Sequence, residues 1–360
     1  MSQEERMLNH PVFFESKEEK YFAKFLDFHV KSGESVFVLT DQNTREHCLP
    51  LLRKKLPDGF PLKVIEVPAG EKHKNLETCQ SVWEILTDKL ADRNSVLINL
   101  GGGVVCDLGG FAASVFKRGI RFVHVPTSLM AMADASIGGK TGIDLHGIKN
   151  VIGTFAQPLA VFIDTEFLQT LPERDLNNGF SEMLKHGLIS EYSFFKELAE
   201  GGPENVTSEQ IRISVEIKSD IVQRDPLERN IRKSLNFGHT LGHAFETYSL
   251  LNDANPLLHG EAVILGMMGE ILLSERMNLL DETYVEEILS ALFDFAVYYD
   301  FTEASIHSVM EFVQHDKKSQ RGIPGFSLLR RPGQVITGQE CSEEDIISVL
   351  VELKEILQDQ

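Results

Sequence analysis

An α/β fold in the first half and a mainly helical second half are what this sequence predicts, on three observations. Short apolar runs recur between helical stretches up to about residue 163, the strand signal fades from about Pro172 onward, and glycine clusters stand where a run hands over to a helix. The runs are residues 35–40, 62–67, 95–100, 121–125 and 159–163. They are short and mostly apolar, so each reads as a buried strand of a parallel sheet. Between them, residues 76–90 carry apolar side chains at helical spacing, and residues 109–116 fit another crossover helix, beginning near Leu108. In the second half, residues 211–222, 262–273 and 345–357 have a helical period, the last with Ser342 placed to cap it three residues ahead of Asp345. Gly201-Gly202-Pro203 and Arg331-Pro332-Gly333 read as ordinary turns. The boundary expected is a hinge over residues 164–172, giving domains 1–168 and 169–360 with a site between unlike parts.

Composition narrows the function. The 360 residues are 42% hydrophobic and 25% charged, ordinary for a globular protein and enough for two cores. No run of eighteen apolar residues and no basic-then-apolar leader is present, so a cytoplasmic protein is expected. With 54 acidic against 35 basic residues the net charge is −19, which repels nucleic acid and anionic lipid. A small anionic substrate remains possible where basic side chains gather locally. Cys48, Cys79, Cys106 and Cys341 form no C-x-x-C pair, so any metal must use nitrogen and oxygen ligands.

Those ligands are at hand. In Asn236-Phe-Gly-His239-Thr-Leu-Gly-His243 the two histidines lie four apart, on one helical face, and His259-Gly-Glu261 follows. Glu182 and Lys185, at i and i+3 among apolar neighbours, offer the carboxylate that two or three histidines need to make a zinc-type site with an open position. Gly101-Gly102-Gly103 follows a strand, and glycines there let backbone N–H groups approach a pyrophosphate at a helix N-terminus. Asp41, ending an earlier strand, is placed to accept ribose hydroxyls, so the first half reads as a Rossmann-like dinucleotide-binding domain. Ser136-Ile-Gly138-Gly139-Lys140-Thr141 lacks P-loop spacing, which leaves Lys140 as an anion ligand. Lys149-Asn150 is expected in a nearby turn, and Arg118-Gly119 ahead of a strand.

Taken together, these motifs resemble the 3-dehydroquinate synthases, a family of sugar phosphate cyclases. The matching stretches run from Asp41 to Lys318 and include Gly101 to Phe111, Pro126 to Leu129, Asp134 to Thr141, Leu171 to Arg174, Gly179 to Lys185, Leu235 to His243, and His259 to Glu261. Cys106 stands where glycine is common in the family, and Ser128 where threonine is frequent. The resemblance implies a lyase of the shikimate pathway, which makes aromatic amino acid precursors. It turns 3-deoxy-D-arabino-heptulosonate 7-phosphate into 3-dehydroquinate and phosphate by transient oxidation with NAD, elimination, re-reduction and aldol closure. It implies Glu182, His239 and His259 as ligands of a divalent ion, zinc or cobalt. Substrate contacts carried over are Asp134, Lys140, Asn150, Lys185, Lys218, Arg232, Asn236, His243 and Lys317 or its neighbour Lys318. Arg118 would reach the neighbouring subunit's substrate in a homodimer. For NAD the positions are Asp41, Asn43, Gly70, Glu71, Lys74, Gly102, Gly103, Val104, Asp107, Thr127, Ser128, Lys140, Lys149 and Thr170.

Other readings make different demands. A cyclase for a neutral heptulose 7-phosphate would have no use for Arg232, whose guanidinium suits a carboxylate. A metal-dependent polyol dehydrogenase would accumulate NADH. A metallopeptidase would need H-E-x-x-H, whereas this chain has H-T-L-G-H. A non-catalytic NAD sensor would need no metal.

Overall fold

Six strands assemble into one parallel sheet in the computed structural model, which describes residues 10–15, 20–146, 148–315 and 325–358. The chain divides into two compact units. The first is Met1–Pro172 with Thr207–Asp220, and the second is Glu173–Val206 with Ile221–Gln360.

The first unit carries β1 (Val12–Phe14), α1 (Tyr21–His29), β2 (Val36–Asp41), α2 (Gln42–His47), α3 (Leu49–Lys54), β3 (Leu62–Val67), α4 (Leu76–Asp88), β4 (Val96–Gly101), α5 (Gly103–Val115), β5 (Arg121–Pro126), β6 (Lys140–Leu145), β7 (Ile148–Phe155) and β8 (Val161–Ile163). The sheet order is β1-β8-β5-β4-β2-β3, and every pairing in it is parallel. From β2 the chain steps outward to β3, then crosses back so that β4 lies on the other side of β2. That reversal opens a crevice at the carboxyl ends of β2 and β4, where α/β sheets bind their ligands. α5 presses onto the sheet so closely that a Cβ on Gly109 would lie 2.1 Å from Asn99 Oδ1. Phe37, Leu39, Leu97, Leu108, Phe111 and Phe122 fill the core beneath it.

The second unit carries α6 (Glu173–Ile189), α7 (Tyr192–Gly201), the last turn of α8 (Ser208–Arg224), α9 (His239–Asn252), α10 (His259–Arg276), α11 (Glu282–Phe293), α12 (Glu303–His315), β9 (Gly325–Arg331), β10 (Gln334–Glu340) and α13 (Glu343–Gln358). Ser342 caps α13 as expected, its Oγ accepting from Asp345 N at 3.1 Å. α10 is buried along nearly its whole length, from Gly260 to Ser274. It meets α9 backbone to backbone: a Cβ on Gly266 would stand 2.0 Å from Gly238 O and 2.6 Å from Gly242 N. Among the described residues no helix is long and apolar enough to cross a membrane.

Two local expectations give way. α5 begins at Gly103 rather than near Leu108, because Val105 and Cys106 already bury themselves as its first turns. Lys149 and Asn150 lie in β7, not in a turn, since the antiparallel pairing with β6 continues through them to Leu145 and Ile148. The hairpin β9–β10 was not foreseen: Phe326, Ser327, Leu328 and Leu329 are all buried, so β9 shows no alternation.

Two predictions follow from this packing. Gly266→Ala wedges a methyl between two backbones and lowers the unfolding free energy by about 3 kcal/mol in denaturant titration. Burial pushes the imidazoles of His10 and His124 down to about 4 and about 3. The unfolded chain therefore binds protons that the folded one refuses, and stability falls as the pH drops from about 6.5 toward 4, by up to about 1.4 kcal/mol per pH unit for each histidine. His124→Gln should flatten that slope in urea titrations run at stepped pH.

Candidate active site

In the first unit the predicted positions gather at strand ends. Asp41 closes β2 and caps α2, accepting from Thr44 N at 2.7 Å while its own N–H donates to Thr44 Oγ1 at 3.0 Å, and Asn43 follows in that first turn. Gly101 closes β4, and Gly102 precedes α5 without any side-chain cap, so the first N–H groups of that helix face outward past Gly103 and Val104. Next to them, Thr127 N donates to Gly101 O at 3.0 Å, and Ser128 Oγ stands 3.2 Å from where a Gly102 Cβ would be. Any side chain there would fill the cradle. Thr170 ends a 3-10 turn, 4.0 Å from Cys48 Sγ.

Lys74 binds several of these residues into one cluster. Its ammonium sits 2.7 Å from Asp107 Oδ2, 2.7 Å from Asn150 Oδ1 and 3.6 Å from Glu71 Oε1, with Lys149 Nζ 3.9 Å from the same Glu71 oxygen. Burial disfavours the charge on Lys74, yet Asp107 and Glu71 outweigh it and hold its pKa above the usual lysine value. Asn150 adopts φ +51° and donates its N–H to Asp144 Oδ1 at 2.8 Å, so its amide is aimed by the hairpin. Gly70, at φ +100°, turns the chain into the short helix that carries Glu71. Asp134 lies in a π-helical turn, Ala131–Ala135, a form found often at functional sites. Lys218, 84 residues further on, reaches it from α8, 2.6 Å from Oδ1 and 2.7 Å from its carbonyl oxygen. Lys140 is exposed at the start of β6. Arg118 is exposed beside Lys117 and Gly119, three successive residues with φ of +68°, +51° and +109° respectively.

The second unit assembles the proposed metal centre. α6 carries Glu182 and Lys185 one turn apart, both 1% exposed and ion-paired to each other. α9 opens with His239 and α10 with His259. Each presents Nε2 at 3.4 Å to Glu182 Oε1, a buried oxygen that accepts no well-formed hydrogen bond among the described residues. His239 Nδ1 lies 3.1 Å from Phe237 O, which can only accept, so Nδ1 carries the proton and Nε2 turns a lone pair on the carboxylate. Two lone pairs facing each other call for a cation between them. Glu182, His239 and His259 have ligand atoms within 4.8 Å of one another, and so does a second group, His243, Glu246 and His259. The three rings crowd together, with centroids 5.3 Å apart for His239 and His243, 5.3 Å for His239 and His259, and 5.8 Å for His243 and His259. Burial and then Lys185 bring the His239 imidazole down to about 4, whereas Glu246 and Glu182, against burial, lift His259 to about 10. Lys185 and His239 hold the Glu182 carboxyl well below the usual range in spite of its burial.

Residues outside the candidate set position these side chains. Arg174 clasps Glu261 with Nε and Nη2 at 2.7 and 2.8 Å, and also donates to Asn255 Oδ1 and Pro256 O, which fixes the chain just before His259. Asn178 Oδ1 accepts from Gly260 N. The stretch Leu171 to Arg174 was a motif with no assigned role; an arginine there beside a helix start was the available signal. Arg232 is buried, its Nη1 donating to Pro226 O at 2.8 Å, in a turn that Asp225 braces by accepting from the backbone N–H groups of Arg229, Asn230 and Arg232. Asn236 donates to Glu228 Oε1 at 2.9 Å, and Glu228 sits at φ +56°, two facts that only the folded chain displays. Lys317 and Lys318 lie outside the described residues.

Residues 64–178 match the 3-dehydroquinate synthase N-terminal family, and residues 179–319 the 3-dehydroquinate synthase C-terminal family. A 3-dehydroquinate synthase of Parabacteroides distasonis is 40% identical over 328 residues, covering 88% of this chain and 90% of that protein. That of Methylacidiphilum infernorum is 38% identical, covering 90% of each. Among solved structures, 2-epi-5-epi-valiolone synthase from Streptomyces hygroscopicus, with NAD+ and Zn2+ bound, is 26% identical with a TM-score of 0.81 over 97% of both chains. A 2-deoxy-scyllo-inosose synthase complexed with carbaglucose-6-phosphate, NAD+ and Co2+ shares the fold, at 23% identity and a TM-score of 0.82 over 96% of both.

Lys185→Met strands the buried Glu182 carboxylate without its cation. In chelator-treated protein it should lower the unfolding free energy by about 3–5 kcal/mol, and Glu182→Gln added to it should recover part of that loss.

Proposed function

This chain belongs to the 3-dehydroquinate synthase family, and on that premise we propose that Glu182, His239 and His259 hold its divalent ion and that the strand-end glycines hold its NAD. The reaction is conversion of 3-deoxy-D-arabino-heptulosonate 7-phosphate into 3-dehydroquinate and phosphate. The observation that carries the ligand assignment is Glu182 Oε1, buried and faced by two imidazole nitrogens, at least one of them a lone pair. Three nitrogen and oxygen donors are the protein set that a catalytic zinc or cobalt takes. When bound, NAD takes up and returns a hydride, and the ion polarises the carbon–oxygen bond being oxidised.

The chain's own side chains do the rest. Gly102 and Gly103 leave the N-terminus of α5 open to a pyrophosphate, while Asp41 at the neighbouring strand end is placed for ribose hydroxyls. Lys74 fixes Asp107, Glu71 and Asn150 relative to one another, so that cofactor and substrate contacts share one anchor. Asp134, steadied by Lys218, accepts a substrate hydroxyl. Lys140, Lys185, Lys218 and Arg232 supply the positive charge that a substrate with both carboxylate and phosphate requires, in a chain of net charge −19. Arg232 favours the carboxylated substrate over a neutral heptulose phosphate. His243, one turn beyond His239, hydrogen-bonds substrate and relays a proton.

The working form is a cytoplasmic homodimer in this reading. The strained turn at Lys117, Arg118 and Gly119 presents Arg118 outward, and exposed Val151 and Phe155 on β7 offer an apolar face, both of which support a contribution to a partner's site.

Phosphate release from the heptulosonate should need NAD yet leave nicotinamide absorbance unchanged at the end of turnover. Turnover of only a neutral heptulose 7-phosphate would overturn the substrate assignment. His239→Ala should abolish stoichiometric metal, while His243→Ala should keep the metal and slow turnover by about 100-fold or more. Equal metal loss in both variants, by elemental analysis, would favour the pair on one helix face instead.

A further inference from the structure

Both proposed histidine ligands open a helix, His239 being the first residue of α9 and His259 the first of α10. A dication is poorly placed there, because the unpaired N–H groups of a first turn carry a partial positive charge of about half an elementary charge. Two carboxylates offset it. At α10, Glu261 turns back to accept from Leu258 N at 2.7 Å. At α9 the residue before the helix is Gly238, at φ +78°, which has no side chain to cap with. The acceptor comes from the other helix. Glu270, on α10 and fully buried, accepts from Gly238 N at 2.8 Å through Oε2, and from Thr240 N at 3.0 Å and Leu241 N at 3.3 Å through Oε1. Those three amides bracket His239.

We infer that Glu270 is a positioning residue of the metal centre: its carboxylate ties the first turn of α9, and so His239, to the helix that carries His259, and cancels the positive end of α9 beside the ion. The inference rests on Glu182, His239 and His259 being the ligands. Glu270 does its work through the backbone. The contact between Gly266 and the backbones of Gly238 and Gly242 brings the helices close enough for a single glutamate to span them. Glutamine at this position keeps the length but loses the charge and one acceptor, aspartate keeps the charge but is one methylene short, and alanine removes everything.

The test uses the full chain freed of metal, titrated with Co(II) and followed by visible d–d absorption, with Zn(II) affinity measured by competition against a chelating dye. Glu270→Gln should weaken both metals about ten-fold or more and alter the Co(II) band, with Glu270→Asp intermediate and Glu270→Ala weakest. Leu353→Ala is the control for stability alone, since Leu353 packs near Gly269 on α10 and should lower the melting temperature with metal affinity unchanged. If Glu270→Gln and Glu270→Asp melt earlier but bind Co(II) with wild-type affinity and spectrum, Glu270 is an ordinary helix cap and the inference is overturned. Should Glu270→Ala fail to fold, the glutamine and aspartate variants decide. If His239→Ala binds Co(II) as tightly as the wild type, the ligand assignment itself falls, a result distinct from any outcome at Glu270.

Discussion

The second unit is organised around one buried carboxylate. Taking Glu182 and Lys185 out of water costs several kcal/mol for each ion, and their mutual attraction returns this only if the remaining oxygen also finds positive charge. One oxygen has Lys185, and the other faces His239 and His259. An ion held at that point would convert an expensive burial into a stable one, so that the folding demand of α6 and the proposed binding demand of the site would have the same solution. The supports around it are explained by this need: the Arg174 clasp before His259, the Phe237 carbonyl that sets the tautomer of His239, and Glu246 behind the His259 ring at 3.4 Å.

Close backbone approach is the second constraint, and glycine is what permits it. α9 and α10 touch at Gly238, Gly242 and Gly266, and α5 settles on β4 at Gly109. These contacts leave no slack. In one unit they hold two histidine-bearing helix starts side by side, and in the other they hold an open helix N-terminus over the reversal point of a parallel sheet. The two units share one device, an open helix start, with uncapped amides in one and a first side chain turned to a buried carboxylate in the other.

Much of this was legible in the chain. Short, mostly apolar runs between helical stretches identify parallel strands, and β2, β3, β4 and β5 lie where such runs stand. Their order, with β4 crossing to the far side of β2, carries no local mark. β9 was missed because it is buried without alternation in a helical context, and α5 was started late because glycines read locally as a turn although tertiary packing makes them helical.

By itself the sequence determined the residue types the chemistry requires, their local spacing, and through family motifs the identity of the reaction. A histidine four residues from another is on the same helical face in any fold, and a glycine after a strand is open to phosphate in any α/β protein. Tertiary structure alone decided which of those groups meet. It set the lone pair of His239, rather than that of His243, against Glu182, carried Lys218 from α8 back to Asp134, and placed Glu270 under the start of α9. The physical reason is that a metal-like centre or a buried ion pair depends on ångström-scale positions of atoms far apart in the chain. Those positions come from packing, which no local pattern encodes.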